Sequence, residues 1–124
     1  MKVSQEEFDR IVKRSISRIP GEFRQLLENI LIAVRRRPSC ALLKEMGMSS
    51  DETLLGVYQG LSLKKRSVMA PPLFPDTIFL FQEPLEEMCE TIEDMEQQIE
   101  KTVVHEIAHY FGISEERLAD LGYG

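Results

Sequence analysis

The chain has 124 residues, 43% of them hydrophobic and 29% charged, and a formal net charge of −6. That length supports one core, so 1–124 is expected to be a single domain, and the acidic balance gives no electrostatic reason for a nucleic-acid or anionic-membrane partner. The opening MKVSQEEFDRIVKRS has no unbroken apolar run and no later stretch reaches the roughly 18 apolar residues a membrane span requires, so a cytoplasmic location is expected.

Ser4, with Glu7 three positions on, reads as a helix N-cap. Phe8, Ile11, Val12, Ile16 and Ile19 then recur at helical spacing up to Pro20. A second short helix is predicted over Glu22–Glu28, where Phe23, Leu26 and Leu27 share a face. The run NILIAVRRRP, aliphatic and closed by Pro38, predicts a strand. A short helix over Ala41–Met46 stops at Gly47, and TLLGVYQG and DTIFLFQ each predict strands bounded by Gly, Pro or Asp. Between them Gly60–Pro75 is too polar and proline-rich for regular structure, and a connection of that length is either functional or a solvated loop.

The last third is predicted helical, interrupted around Glu90–Glu93, with Asp94 and Gln97 as a variant capping box. Met95, Ile99, Val103, Ile107 and Tyr110 or Phe111 form an apolar stripe, while Gln98, Thr102, His105 and His109 fall on another side. The fold class implied is α+β, helices packed on one small mixed sheet. Cys40 and Cys89, the only cysteines, have no C-x-x-C spacing and read as buried free thiols.

The segment HEIAHYFGISEERLADLG carries the chemistry. His105 and His109, four apart, lie about 40° apart around a helix and roughly 6 Å along it, so both imidazoles can reach one ion. Glu106 sits about 100° round from His105, where its carboxylate can reach a metal-bound water without ligating the metal. Zinc lowers the pKa of such a water toward about 7, and Glu106 can take its proton as general base during attack on a carbonyl. These are the only histidines in the chain.

Gly112 and Glu115 extend the motif to HExxHxxGxxE. On an unbroken helix Glu115 would point about 240° away from His109, so a left-handed turn at Gly112 is needed to bring it back as third ligand. Two alternatives stand beside this: Ser114 capping a terminal helix in which Glu115 and Glu116 favour the N-terminal dipole, and Asp120 as the ligating carboxylate.

TVVHEIAHYFGISEERLADLG resembles the signature of the small bacterial zincin-like metallopeptidases. The similarity runs through FRQLLENILIAV, LLGVYQG and PDTIFLFQEPLE as well. The resemblance implies a minimal zincin fold of about three strands packed against helices, with Zn2+ held by His105, His109 and an acidic third ligand at Glu115, and with Glu106 as catalytic base. It also implies that DTIFLFQ is an edge strand beside the metal helix, open to an extended peptide. The spacing is similar to the metzincin HExxHxxGxxH pattern, with a carboxylate in place of the last histidine and no methionine after Met95. Only nine residues follow Glu115, so the usual downstream half of a substrate cleft has no sequence to build it.

Two function classes follow: a zinc peptidase acting on a peptide or protein, and a metal-binding or protein-interaction module retaining the zincin core without turnover. Glu106 favours the first, because a structural site has no use for a base. Arg35-Arg36-Arg37 and Lys64-Lys65-Arg66 read as solvated strand ends and loops, and Tyr110 as a packing residue.

Overall fold

The computed structural model describes residues 1–49, 52–60 and 76–123. The Lys64-Lys65-Arg66 cluster and, beyond Gly60, the long polar connection lie outside them.

Helix α1 (Gln5–Ser17) starts as its sequence dictates, with Ser4 Oγ accepting the Glu7 N–H at 3.1 Å, and it buries Phe8, Ile11 and Val12. The predicted second helix divides into α2 (Gly21–Arg24) and a tighter 3-10 turn over Gln25–Asn29, which delivers the chain into β1 (Leu31–Arg35). Ser39 caps α3 (Cys40–Glu45), placing Cys40 on the exposed first turn; only Cys89 is buried, so the expectation of two buried thiols holds for one. Strand β2 (Gly56–Gln59) and strand β3 (Thr77–Phe81) complete a sheet of order β1-β3-β2, with β1 parallel and β2 antiparallel to β3.

The edge position expected for DTIFLFQ is therefore corrected: β3 is the central strand. The physical reason is that Thr77-Ile78-Phe79-Leu80-Phe81 lacks hydrophobic–polar alternation, and all five residues are buried. Such a run must be covered on both faces. Ile78 and Leu80 enter the main core with Phe8, Ile11, Ile99 and Val103. Phe79 and Phe81 face the other way, packing with Leu42 of α3 and Val57 of β2.

Helix α4 (Gln82–Met88) follows β3 directly and ends at Cys89; α5 (Ile92–Phe111) is the longest element described. Its N-cap is Thr91, whose side chain accepts the Asp94 N–H at 3.0 Å. This replaces the predicted Asp94–Gln97 box, since Asp94 is already inside the first turn. α1 packs along α5, and Arg14–Glu96 (2.8 Å) and Arg18–Glu100 (3.6 Å) border the contact. After α5 the chain turns into α6 (Glu115–Asp120), whose Leu118 and the following Tyr123 return to the core. The six helices and the small mixed sheet of the described residues form the expected α+β fold.

The basic run at the end of β1 is not simply solvated. Arg36 and Arg37 both pair with Glu83 of α4, and Arg37 also meets Glu87 at 3.1 Å.

Candidate metal centre

Helix α5 is the platform. Met95, Ile99, Val103 and Ile107 are all fully buried, as their spacing requires, and Val104 and Ala108 join them. The stripe stops there, because Tyr110 and Phe111 are 41% and 47% exposed. Fixing one face of α5 in the core leaves Glu106 beside β2 and His105 beside the C-terminal segment, with His109 one turn further along the helix. His105 and Glu106 are partly buried and His109 is exposed.

Between α5 and the chain entering β2 runs a groove of about 310 Å³, lined by Thr53, Leu55, Gly56, Lys101, His105 and Glu106 among others. The helix and strand touch at its floor: a Cβ on Gly56 would stand 2.9 Å from Thr102 Cγ2 and 3.0 Å from the Phe79 carbonyl oxygen. Glycine is thus the residue that lets the edge strand lie this close to the helix. Gln98 and Thr102, assigned by spacing to the same side as the histidines, line the groove; Lys101 was not singled out, as nothing in its local pattern marks it.

Glu106 reaches across to the strand, where its Oε1 accepts the backbone N–H of Tyr58 at 2.9 Å. Phe81 N–H donates to Leu55 O, and hydrogen bonding along an antiparallel strand alternates in direction, so Tyr58 turns its amide outward from β3. Burial pushes the Glu106 carboxyl above the usual carboxylate range; the Tyr58 N–H and then the two histidines oppose that shift. The Tyr58 ring stacks on Tyr110 (centroids 4.0 Å apart, planes at 16°), and its hydroxyl donates to Asp76 at 2.7 Å. Tyr110 therefore packs, as expected, although one side stays open.

His105 Nε2 lies 2.7 Å from the backbone carbonyl oxygen of Tyr123. Main-chain partners such as this carbonyl and the Tyr58 amide leave no trace in a motif, so the sequence could not have singled them out.

Gly112 takes the expected left-handed conformation (φ 71°, ψ 28°), with Ile113 N–H donating to Ala108 O at 2.8 Å. The chain that leaves this turn forms α6, capped by Ser114 Oγ on the Arg117 N–H, and Glu115 is its first residue. Glu115 and Asp120 are both exposed. Two imidazoles flanking a carboxylate on one helix are donors of the kind zinc takes. Among the described residues no three His, Cys, Asp or Glu side chains converge as a metal-holding group.

The sequence profile of the zincin-like metallopeptidases matches residues 27–124. The chain belongs to that family, and membership implies a metal, typically zinc. Among solved structures it is similar to a conserved hypothetical protein from T. thermophilus, at 21% identity, covering 94% of this chain and 98% of that one with a TM-score of 0.54. At that identity the likeness establishes the fold. No curated protein gives a significant match.

Proposed function

We propose that the protein is a zinc-dependent peptidase that hydrolyses a peptide or related amide bond. His105 and His109 would hold the ion, with Glu115 as the third ligand, and zinc when bound would supply an acidified water. Glu106 acts as general base: it takes the proton from the attacking water and returns it to the leaving amine. Burial, which raises the Glu106 carboxyl above the usual range, shifts it in the direction a group that must accept a proton and hand it on requires. The observation that carries the reading is the placement of Glu106 between the two histidines and against an edge strand, on the wall of a groove. An extended peptide could pair there with the outward edge of β2, the role first expected of β3. The substrate is a peptide or protein, with no nucleic-acid or membrane partner. Free cysteines fit the reducing cytoplasm proposed for it, and no described helix is long and apolar enough to cross a membrane.

The second reading, a metal-binding or protein-interaction module without turnover, draws on the absence of a three-ligand cluster among the described residues. Metal analysis of the untagged protein combined with a peptide-library cleavage assay, run beside Glu106→Gln, separates the two. The peptidase reading expects zinc in both proteins and cleavage in the parent alone. Zinc without cleavage in either selects the module, and a cleaving Glu106→Gln removes Glu106 as base.

A further inference from the structure

We propose that Lys101 makes the groove beside Glu106 selective for a peptide that bears a carboxylate about two residues from the bond to be cut. The inference rests on the peptidase reading and deepens it by naming a substrate class.

Lys101 lies on α5 one turn before His105, so the two share a flank of the helix about 6 Å apart along its axis. Lys101, His105 and Glu106 line the same groove. An extended peptide advances about 3.3 Å per residue, so a residue level with Lys101 stands about two positions from one level with His105 and Glu106. Lys101 is exposed. An ammonium offers three donors and no acceptor, and a carboxylate is its complement in both charge and hydrogen bonding.

The described walls offer Lys101 little competition for that role. Thr53, Gln98 and Thr102 are neutral, and the one acid lining the groove among the described residues, Glu106, has its Oε1 held by the Tyr58 N–H. Arg14 and Arg18 of α1 are engaged by Glu96 and Glu100, whereas Lys101 makes no ion pair among the described residues. The chain as a whole carries a formal charge of −6, so an acidic peptide is not drawn in from a distance. Discrimination has to arise in contact at the groove, where Lys101 acts as a specificity-determining residue.

The test presents the zinc-loaded full chain with two C-terminally amidated peptide libraries, one containing Asp and Glu and the other Asn and Gln in their place. A third library is the Asn and Gln one with a free C-terminal carboxylate. Cut sites are read by mass spectrometry. Cleavage is expected with Asp or Glu about two residues from the cut, or about two residues before a free C-terminus, and the library that responds says whether a side chain or a chain end supplies the carboxylate. For the best such peptide against its amide counterpart, kcat/KM should differ by about three- to tenfold, mainly through KM. Lys101→Met, which keeps the apolar stem, should bring that ratio to about one, and Lys101→Glu should bring it lower still, with zinc content as in the parent. A parent that cleaves without regard to the carboxylate, or a preference that survives either substitution, would overturn the proposal. Cleavage of no library sinks the peptidase reading instead. Retention of the same libraries on immobilised parent and Lys101→Glu then decides: carboxylate peptides held by the parent alone uphold the role of Lys101, and equal retention overturns it.

Discussion

Gln59 is 93% buried at the end of β2, and its Oε1 has no hydrogen-bond partner among the described residues. Stranding a buried acceptor costs about 1–3 kcal/mol, which an apolar side chain of similar shape avoids. Gln59→Met is expected to raise the urea midpoint, with a gain of about 1 kcal/mol; an unchanged or lower midpoint would mean the amide is satisfied in solution. The proposed centre offers a second comparison at this scale. His105→Ala and His109→Ala should each lower Zn2+ affinity steeply, Glu115→Ala to an intermediate degree, and Glu106→Gln hardly at all. Competition with a chromophoric chelator gives the order directly. If Asp120→Ala weakens binding and Glu115→Ala does not, the third ligand has been assigned to the wrong carboxylate.

Two glycines govern how elements meet. Gly112 sits at φ 71°, a conformation costing an L-residue about 1–2 kcal/mol, and more for a β-branched one. Gly112→Val should therefore destabilise the chain by about 2 kcal/mol and weaken metal binding with it, because the turn sets where α6 and Tyr123 arrive. Thermal melting and zinc affinity measured together would show whether the two effects travel as one. Gly56→Val is expected to cost about 1–3 kcal/mol by overpacking, since the new side chain must move Thr102 or the β3 backbone. It should also widen the separation of Glu106 from Tyr58. Legibility at this scale varied with the kind of signal. Ser4 and the buried spacing of Met95, Ile99, Val103 and Ile107 are local devices, so the start of α1 and the buried face of α5 could be read directly, whereas the Thr91 cap of α5 was not. That His105, Glu106 and His109 share one helix was legible because the motif spacing lies within a single helical pattern. Strand order was not, because it depends on which faces find cover. DTIFLFQ announces burial on both sides only when its lack of alternation is weighed above the edge role taken from the resemblance. Likewise the local pattern at Ser114 and Glu115 fits the capped helix that the structure shows, and it does not by itself say which carboxylate would complete a metal site.

Across the whole molecule, the sheet is tied to α4 by the pairing of Glu83 with Arg36 and Arg37. The hydrogen bonds from Arg36 and then Arg37 hold the Glu83 carboxyl below its usual range. A carboxyl whose folded pKa is depressed contributes stability that is complete above its unfolded value, about 4.3 for glutamate, and is lost as pH falls through the folded value. The urea midpoint of Glu83→Gln should therefore lie below the parent's near neutrality, and the gap should close below about pH 4. It should also narrow with added salt, as both arginines are exposed and Glu83 is only half-buried. A gap indifferent to pH would assign the difference to packing.

The parallel pairing of β1 with β3 has a consequence for how this chain comes into being. Leu31 has Thr77 as its strand partner, α1 packs on α5, and the Met1 amino group donates to Glu86 O at 2.6 Å. During translation the amino-terminal third emerges with an apolar helix face and a strand, yet β1 lacks β3 until the middle third has emerged and α1 lacks α5 until the carboxy-terminal third has left the ribosome. A nascent chain stalled before α5 should be readily cut by protease throughout, whereas release of the full chain should bring protection to α1 and β1 in one step.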